Sequence, residues 1–228
     1  MYGLGFRAIT AITRPDAKII GRFEGLSSAD LADAMHDANI MDPGIQPIYE
    51  PMAPIVGPAV TVSIPRCTHF HLFKLGAQQT RPGDVLVVNA RGDLSSGLTG
   101  GNVCRGLRAR GLAGVIVDGA VRDIEETRAT GLPVYARGVT PRGGTVYGAG
   151  EVNVPVACGG IVVNPGDIVV ADRDGIAVVP SAAVDEVLAL VEKGKASHAQ
   201  LQPALARGEV TNIENITKKL LELGCVVS

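Results

Sequence analysis

Short apolar runs separated by glycine- and proline-containing turns set the pattern of this chain. Val85-Leu86-Val87-Val88 is apolar throughout and is entered from Pro82-Gly83-Asp84, which predicts a fully buried strand. Residues 57–64, GPAVTVSI, predict another, and Val115-Ile116-Val117 a third that runs into a turn at Asp118-Gly119-Ala120. Between and after these runs the pattern predicts helices over 70–80, 98–110 (with Gly111 as its C-cap) and 124–130, then a strand over 133–136. A capped short helix is predicted from Ser27-Ser28-Ala29-Asp30 into LADAMHDA.

Strand–helix–strand alternation of this kind implies βαβ units and a parallel or mixed sheet, an α/β fold. Beyond residue 140 the pattern changes to short β-rich runs broken by Gly-Gly, Pro-Gly-Asp and Arg-Asp-Gly, which reads as a meander of hairpins. Pro-Gly-Asp before an apolar run occurs at both 82–88 and 165–171, predicting two similar turn-to-strand junctions. Asp172-Arg173-Asp174-Gly175 reads as a tight hairpin. From Ser181 a long helix is predicted, with Val184, Val187, Leu188 and Val191 on one face and a break or bend at Pro203. A short helix over 215–223 follows. The expected organisation is one α/β catalytic domain, 1–180, with a helical extension, 181–228, that belongs to the same structural unit and contacts neighbouring subunits.

Composition narrows the function classes. At 228 residues and 46% hydrophobic, the chain can bury a substantial core. A formal charge of −2 offers no field for nucleic acid or an anionic membrane. With aromatics at 4% and no Trp, stacking platforms for bases are scarce. No apolar run approaches the roughly 20 residues of a membrane span, and the N-terminus does not read as a secretory signal, so a cytoplasmic location is expected. Cys67, Cys104, Cys158 and Cys225 form no CxxC and are expected to be buried free thiols.

The candidate chemistry lies in Gly111–Glu126, GLAGVIVDGAVRDIEE, where an adjacent cation and anion, Arg122 and Asp123, follow a buried strand. In open α/β sheets ligands bind at that edge. Asp123 can hold a hard metal ion and Arg122 an oxyanion, although an Asp at a helix start is also favoured simply by the helix dipole. One strand earlier, Thr99-Gly100-Gly101-Asn102-Val103 opens a helix, and its backbone N–H groups form a cradle suited to a carboxylate. Other residues weigh less. His69 and His71 read as a core or helix-start pair or as a substrate-contacting loop. Arg91 and Asp93 follow a buried strand and are candidates to line the site, whereas Asp118 reads as a turn former.

The chain resembles the RraA-like family, on PGDVLVV at 82–88, the Gly-rich loop at 100–103, GVIVDGAVRD at 114–123, VNVPV…G…V.PGD at 152–167 and ADRDGIAVVP at 171–180. That family includes class II pyruvate aldolases acting on 4-hydroxy-4-methyl-2-oxoglutarate, some with oxaloacetate decarboxylation, and also non-enzymatic proteins that inhibit ribonuclease E. Many members carry an old methyltransferase label, but no glycine-rich nucleotide loop supports methyl transfer here. The resemblance implies an α/β/α swivelling-domain fold with a mixed central sheet, a C-terminal helical tail, and homotrimers or homohexamers. It implies that Arg122 contacts the keto oxygen, that Asp123 ligates Mg²⁺ or Mn²⁺, and that Gly100, Gly101, Asn102 and Val103 hold the carboxylate of a 2-oxo acid. Inhibitor-type members tend to lack the metal-binding Asp, so its presence favours an enzyme over a regulator of a protein partner; another oxo-acid reaction, hydrolysis or isomerisation, is the further alternative. Two positions depart from the pattern. Gly101 stands where the loop usually carries an acid. His198, with Glu192 the nearest acidic residue, stands where a neighbouring subunit usually supplies a Glu, which makes His198 a candidate base.

Overall fold

Successive residues of the central strands are buried against different cores, and this sets the layering. Val85 and Val87 face one core and Leu86 and Val88 another; Ile116 and its neighbours Val115 and Val117 divide in the same way. A strand that must satisfy two cores is apolar throughout, which is why these segments read as unbroken runs.

The computed structural model describes residues 4–65, 70–209 and 213–226. In chain order the elements are β1 (Phe6–Ala8), α1 (Ala17–Gly21), α2 (Ser28–Ala34), β2 (Gln46–Pro47), β3 (Ile55–Ser63), α3 (Phe70–Gln79), β4 (Val85–Gly97), α4 (Gly101–Ala109) and β5 (Gly114–Val121). There follow α5 (Ile124–Thr130), β6 (Val134–Val139), β7 (Gly150–Val152), β8 (Val156–Cys158), β9 (Ile161–Val163), β10 (Ile168–Ala171) and β11 (Ile176–Val179). A single 3₁₀ turn (Ser181–Ala183) leads into α6 (Val184–Ala206), and α7 (Ile213–Glu222) comes last.

Strands β3, β4, β5 and β6 are parallel neighbours, joined by α3, α4 and α5. The sheet is mixed because β7 and β10 run antiparallel to β3, and β2 antiparallel to β6. On one face, α3, α4 and α5 cover a core containing Phe73, Leu86, Leu107, Val115 and Val117. On the other, the β10–β11 hairpin divides two cores with period-two alternation: Val169, Ala171, Ile176 and Val178 face the sheet, while Ile168, Val170, Ala177 and Val179 face α2 and the first turns of α6. The result is the expected α/β architecture with a mixed central sheet and a C-terminal helix. Ser27 caps α2 as predicted, exchanging bonds with Asp30 (3.0 Å each way). The Pro-Gly-Asp junctions also match. Asp84 is buried and accepts from Arg14 (2.7 Å) and from the Arg81 amide (2.7 Å); Asp167 is buried and accepts from the amides of Asn164 (2.8 Å) and Ser181 (3.0 Å).

Several expectations are corrected. Asp118-Gly119-Ala120 is not a turn, since β5 continues to Val121. Asp118 sits inside the strand because its buried carboxylate is satisfied there, by Arg137 Nε and by the Gly159 amide at 2.9 Å. Likewise β4 runs on to Gly97 through irregular register at Asn89, Asp93 and Gly97, with Arg91 and Gly92 at positive φ. Helix α4 starts at Gly101, three residues after the predicted start. The meander is partial: β8–β9 and β10–β11 are hairpins, but β7 joins the main sheet. Helix α6 runs through Pro203 to Ala206, so the break that was one of the two outcomes expected there does not occur. Cys104 and Cys158 are buried thiols; Cys225 is exposed because it follows α7, away from the cores; Cys67 lies outside the described residues. Among the described residues no helix is long and apolar enough to cross a membrane.

Candidate active site

The loops that leave β4 and β5 meet at the carboxyl edge of the parallel sheet. Backbone bonds tie them together: the Arg122 amide donates to Thr99 O (2.9 Å) and the Leu98 amide to Ala120 O (2.9 Å). This brings the Gly-rich loop and the Arg-Asp pair into one cavity of about 680 Å³. Gly100, Asn102, Val103, Arg122 and Asp123 line it, with Lys74 and Gln78 of α3, Arg110 at the C-cap of α4, and residues 143–146 from the loop after β6.

Asp123 occupies the N-cap of α5 but does not cap it. Its backbone is left-handed (φ 57°, ψ 50°) and its side chain makes no capping bond. An Asp tolerates that conformation better than most residues, and such strained positions concentrate at functional sites. Its carboxylate turns instead toward the Gly-rich loop. A Cβ on Gly100 would lie 2.2 Å from Asp123 Oδ2, so only glycine admits the carboxylate here. Arg122 Nε lies 3.3 Å from the same oxygen, and both side chains stay partly open to solvent. A Cβ on Gly143 would lie 3.0 Å from an Arg122 terminal nitrogen, so the loop after β6 also folds close over the guanidinium. That loop is pinned by the Gly97 amide on Arg142 O (2.7 Å), and its Tyr147 ring meets His71 of α3 edge-on at 5.5 Å.

Helix α4 begins at the cavity. Its N-cap Gly100 provides no side-chain cap, and the first-turn amides of residues 101–103 have no partner four residues back. Those donors, with the positive end of the helix dipole, suit an anion. Asn102 and Val103 line the cavity; Gly101 does not, which corrects the expected cradle. The reason is α5: a Cβ on Gly101 would lie 2.3 Å from Glu126 Cβ and 2.5 Å from Glu126 Oε2. The glycine there is a seat for the neighbouring helix, and Glu126 fills the space that a larger residue at 101 would need.

Arg91, Asp93 and Asp118 do not line the cavity among the described residues; Asp118 belongs to an ion pair with Arg137 on the opposite side of the sheet. His69 lies outside the described residues, and His71 is exposed on the first turn of α3. His198 lies in a separate groove of about 230 Å³ between α2 and α6, with His36, Asp30 and Asp33, which shares no residue with the cavity. Glu192 is exposed on α6. Sequence reasoning missed Lys74, Arg110 and Glu126, because single charged residues on predicted helices read as solvated faces.

Behind the cavity, burial pushes the Cys104 thiol up, and the Asp123 carboxylate acts in the same direction, so a nucleophilic thiolate is disfavoured. Among the described residues no three His, Cys, Asp or Glu side chains group as a metal cage. Asp123 nevertheless offers a carboxylate that the helix does not use. Mg²⁺ and similar hard cations keep several waters and need only one or two carboxylates. The donor set therefore fits a hydrated divalent cation held at Asp123.

A family model described as RraA-like, Aldolase/RraA, matches residues 28–178. A protein of Halalkalibacterium halodurans named as a candidate 4-hydroxy-4-methyl-2-oxoglutarate aldolase is 31% identical over 195 residues, covering 86% of this chain and 92% of that protein. A Thermus thermophilus protein named 4-hydroxy-4-methyl-2-oxoglutarate aldolase is 43% identical over 98 residues, 43% of this chain and 60% of that one. Among solved structures, a Streptomyces coelicolor protein described as an unusual member of the RNase ES inhibitor RraA family superposes with a TM-score of 0.73 at 30% identity, covering 86% of this chain and 99% of that chain.

Proposed function

The chain belongs to the RraA-like family, and from that premise we propose that it is a divalent-metal-dependent lyase that splits 4-hydroxy-2-oxo acids, of the 4-hydroxy-4-methyl-2-oxoglutarate type, to pyruvate. The observation that carries this reading is Asp123: a helix-start carboxylate, left-handed and not capping, turned over Gly100 beside Arg122 in a cavity.

In this reading the α4 first-turn amides at Asn102 and Val103 hold the substrate carboxylate, which sets the keto oxygen toward Arg122. The C4 hydroxyl loses its proton, the C3–C4 bond breaks, and its electron pair moves into pyruvate enolate. Arg122 faces the oxygen on which that negative charge develops, and stabilisation of this kind is typically worth about 3–4 kcal/mol. Asp123 would hold Mg²⁺ or Mn²⁺, which when bound supplies Lewis-acid polarisation of the substrate oxygens. Reprotonation at C3 releases pyruvate. The same electron sink serves decarboxylation of oxaloacetate, since loss of CO₂ leaves the same enolate.

In this reading the C4 proton passes to a cation-bound water or a nearby group, with His198 of a neighbouring copy the candidate base. Within one chain His198 occupies a different groove, on the outer part of α6, where Leu201 and Leu205 are exposed. Helix α7 also exposes Ile216, Leu220 and Leu221. These apolar surfaces support a homotrimer or homohexamer in which the tail covers an adjacent subunit.

The test is pyruvate release from 4-hydroxy-4-methyl-2-oxoglutarate and from oxaloacetate, with and without Mg²⁺. Arg122→Met and Asp123→Asn should each lower turnover by about 10²–10³ while leaving thermal unfolding nearly unchanged. The rival reading, a protein that regulates a partner without catalysis, draws on one relative described as a member of an RNase ES inhibitor family and another described as an RNA-processing inhibitor. It requires that no pyruvate be released and that Mg²⁺ make no difference.

A further inference from the structure

We propose that this cavity also takes 4-hydroxy-2-oxo acids whose C4 substituent is an extended apolar chain, which lies in a trough between α3 and α4. The inference rests on the reading of the cavity as a 4-hydroxy-2-oxo acid site and deepens it. The polar groups for the reacting end sit at the sheet edge, at Arg122, Asp123 and the first turn of α4. The cavity does not stop there. Its α4 lining recurs at helical spacing, at Asn102 and Val103, then Gly106 and Leu107, then Arg110. Its α3 lining does the same, with Phe73 and Ala77 one turn apart. The cavity therefore runs along both helices. At 1.5 Å per residue the stripe from Asn102 to Arg110 is about 12 Å long. Arg110 ties the helices together at its far end, where one terminal nitrogen donates to Gln78 O (3.1 Å) and Thr80 O (3.0 Å).

The lining changes character along this path. Phe73, Ala77 and Leu107 belong to the core beneath and give the trough an apolar floor. Val103 is half-buried, and Val146, on the loop that folds over Arg122, is 42% exposed. Lys74 and Gln78 are exposed and edge the trough toward solvent. Gly106 leaves it open. A Cβ there would meet nothing within 4 Å, and its φ is not positive, so neither packing nor backbone geometry requires glycine. Glycine inside a helix is destabilising relative to alanine; what this one supplies is room. The volume of about 680 Å³ is in the range that holds drug-sized ligands, well beyond a three-carbon acid. A polar tail would give up water here and find no donor or acceptor on the side chains of Val103, Ala77, Leu107 or Val146. An apolar tail removes their surface and its own from water. Because the trough is continuous with the reacting end, tail and breaking bond belong to one molecule. The C3–C4 bond breaks, its electron pair passes to C3 and a proton returns there. The C4 hydroxyl oxygen, having lost its proton, becomes the carbonyl of an apolar aldehyde, released beside pyruvate.

The experiment compares 4-hydroxy-2-oxopentanoate, with methyl at C4, and 4-hydroxy-2-oxodecanoate, with hexyl, in wild type, Gly106→Ala and Gly106→Leu. Calorimetric binding of 2-oxobutanoate and 2-oxodecanoate with Mg²⁺ present reads the trough without turnover, since neither has a C4 hydroxyl to lose its proton. Wild type should favour the hexyl substrate in kcat/KM by about tenfold or more, and should bind 2-oxodecanoate about tenfold more tightly than 2-oxobutanoate. The side chain added in Gly106→Leu fills the trough, so both ratios should fall to near one, with Gly106→Ala between. Both variants should fold, because each replacement favours the helix. Equal ratios in wild type, or ratios that Gly106→Leu leaves unchanged, overturn the proposal, while pyruvate release keeps the underlying reading intact. If a second copy of the chain fills the trough instead, Gly106→Leu changes the sedimentation of the assembly and not the ratios, which also overturns it. If wild type prefers 2-oxodecanoate yet releases no pyruvate from either substrate, the tail site stands and the lyase reading falls. With no preference and no pyruvate, both fall.

Discussion

Replacing Gly100 with Ala separates the function of the Arg122–Asp123 pair from the stability of the fold. Gly100 has extended backbone (φ −159°, ψ −170°), which alanine adopts without strain. By itself the substitution should stabilise the protein by about 0.4–1 kcal/mol, through lower entropy of the unfolded chain. The added methyl, however, would sit 2.2 Å from Asp123 Oδ2, 2.9 Å from its Cγ and 3.1 Å from Arg122 Cγ, where ordinary contact begins at 3.4 Å. The nearest atom is the free end of a short side chain open to solvent, so it can swing away at little cost to folding. In doing so the carboxylate must retreat by more than about 1 Å, and a displacement of that size at a reacting centre costs about 10²-fold. Gly100→Ala should therefore lower kcat/KM for pyruvate release about 100-fold, or about 2.7 kcal/mol, with the thermal midpoint held or slightly raised.

Gly101→Ala is the contrasting case. Its methyl would meet Glu126 Cβ at 2.3 Å, an atom that cannot move unless α5 moves. Overpacking of that kind costs about 1–3 kcal/mol, so Gly101→Ala should lower the urea midpoint clearly. Pyruvate release coupled to lactate dehydrogenase and urea unfolding, run on both variants, decide the matter. A Gly100→Ala protein with wild-type turnover would refute the placement of Asp123 as a working carboxylate. A Gly100→Ala protein as unstable as Gly101→Ala would refute the argument that only the side-chain tip is displaced.

Tyr49→Phe removes a buried bond from the hydroxyl to Leu132 O (2.7 Å) and orphans the carbonyl, which should lower urea-derived stability by about 1–2 kcal/mol; an unchanged midpoint would contradict it. Asp172 accepts from the Ser28 hydroxyl (2.6 Å) and amide (2.7 Å); burial raises its pKa, but those bonds and the amides of Asp174 and Gly175 outweigh it, so the carboxyl lies below its usual 3.8. Its stabilisation is then fully present above about pH 4 and is lost as pH falls through the lowered folded value, so the stability gap between wild type and Asp172→Asn should narrow only below about pH 4. A gap that stays constant from pH 7 to 3 would count against this. Iodoacetamide followed by peptide mapping of native protein should label Cys225 and spare Cys104 and Cys158, which are buried and whose thiols burial pushes up; labelling of either before unfolding would show that the core opens.

The sequence carried what depends on local pattern. Unbroken apolar runs located β4 and β5 because both faces of each are covered, and the Pro-Gly-Asp phrases located the entries into β4 and β10 because each Asp closes its own turn. The error at Asp118 has a tertiary cause, the satisfaction of a polar group. Asp118-Gly119 carries turn-forming residues, yet Arg137 and the Gly159 amide, neither near it in sequence, hold Asp118 inside a strand. Lys74 lines the cavity and Glu126 packs against Gly101, and neither is legible in sequence because nothing local shows what a charged helix position meets.

The role of Asp123 is set by its backbone and its neighbours, not by its place in the sequence. At a helix start, an Asp that caps and an Asp that works at a cavity look identical in sequence, since both fit the dipole. They make opposite demands on the carboxylate. A cap turns it back to the first-turn amides; a binding site needs it turned outward. The left-handed backbone of Asp123, the missing capping bond and the space that Gly100 leaves for Oδ2 all favour the second. The fold thus forgoes a capping contribution of about 1 kcal/mol at α5. Gly101 then admits Glu126, drawing α5 against α4 and holding Asp123 over the loop. Two adjacent glycines act in different ways: one leaves room for the carboxylate, the other lets its helix approach.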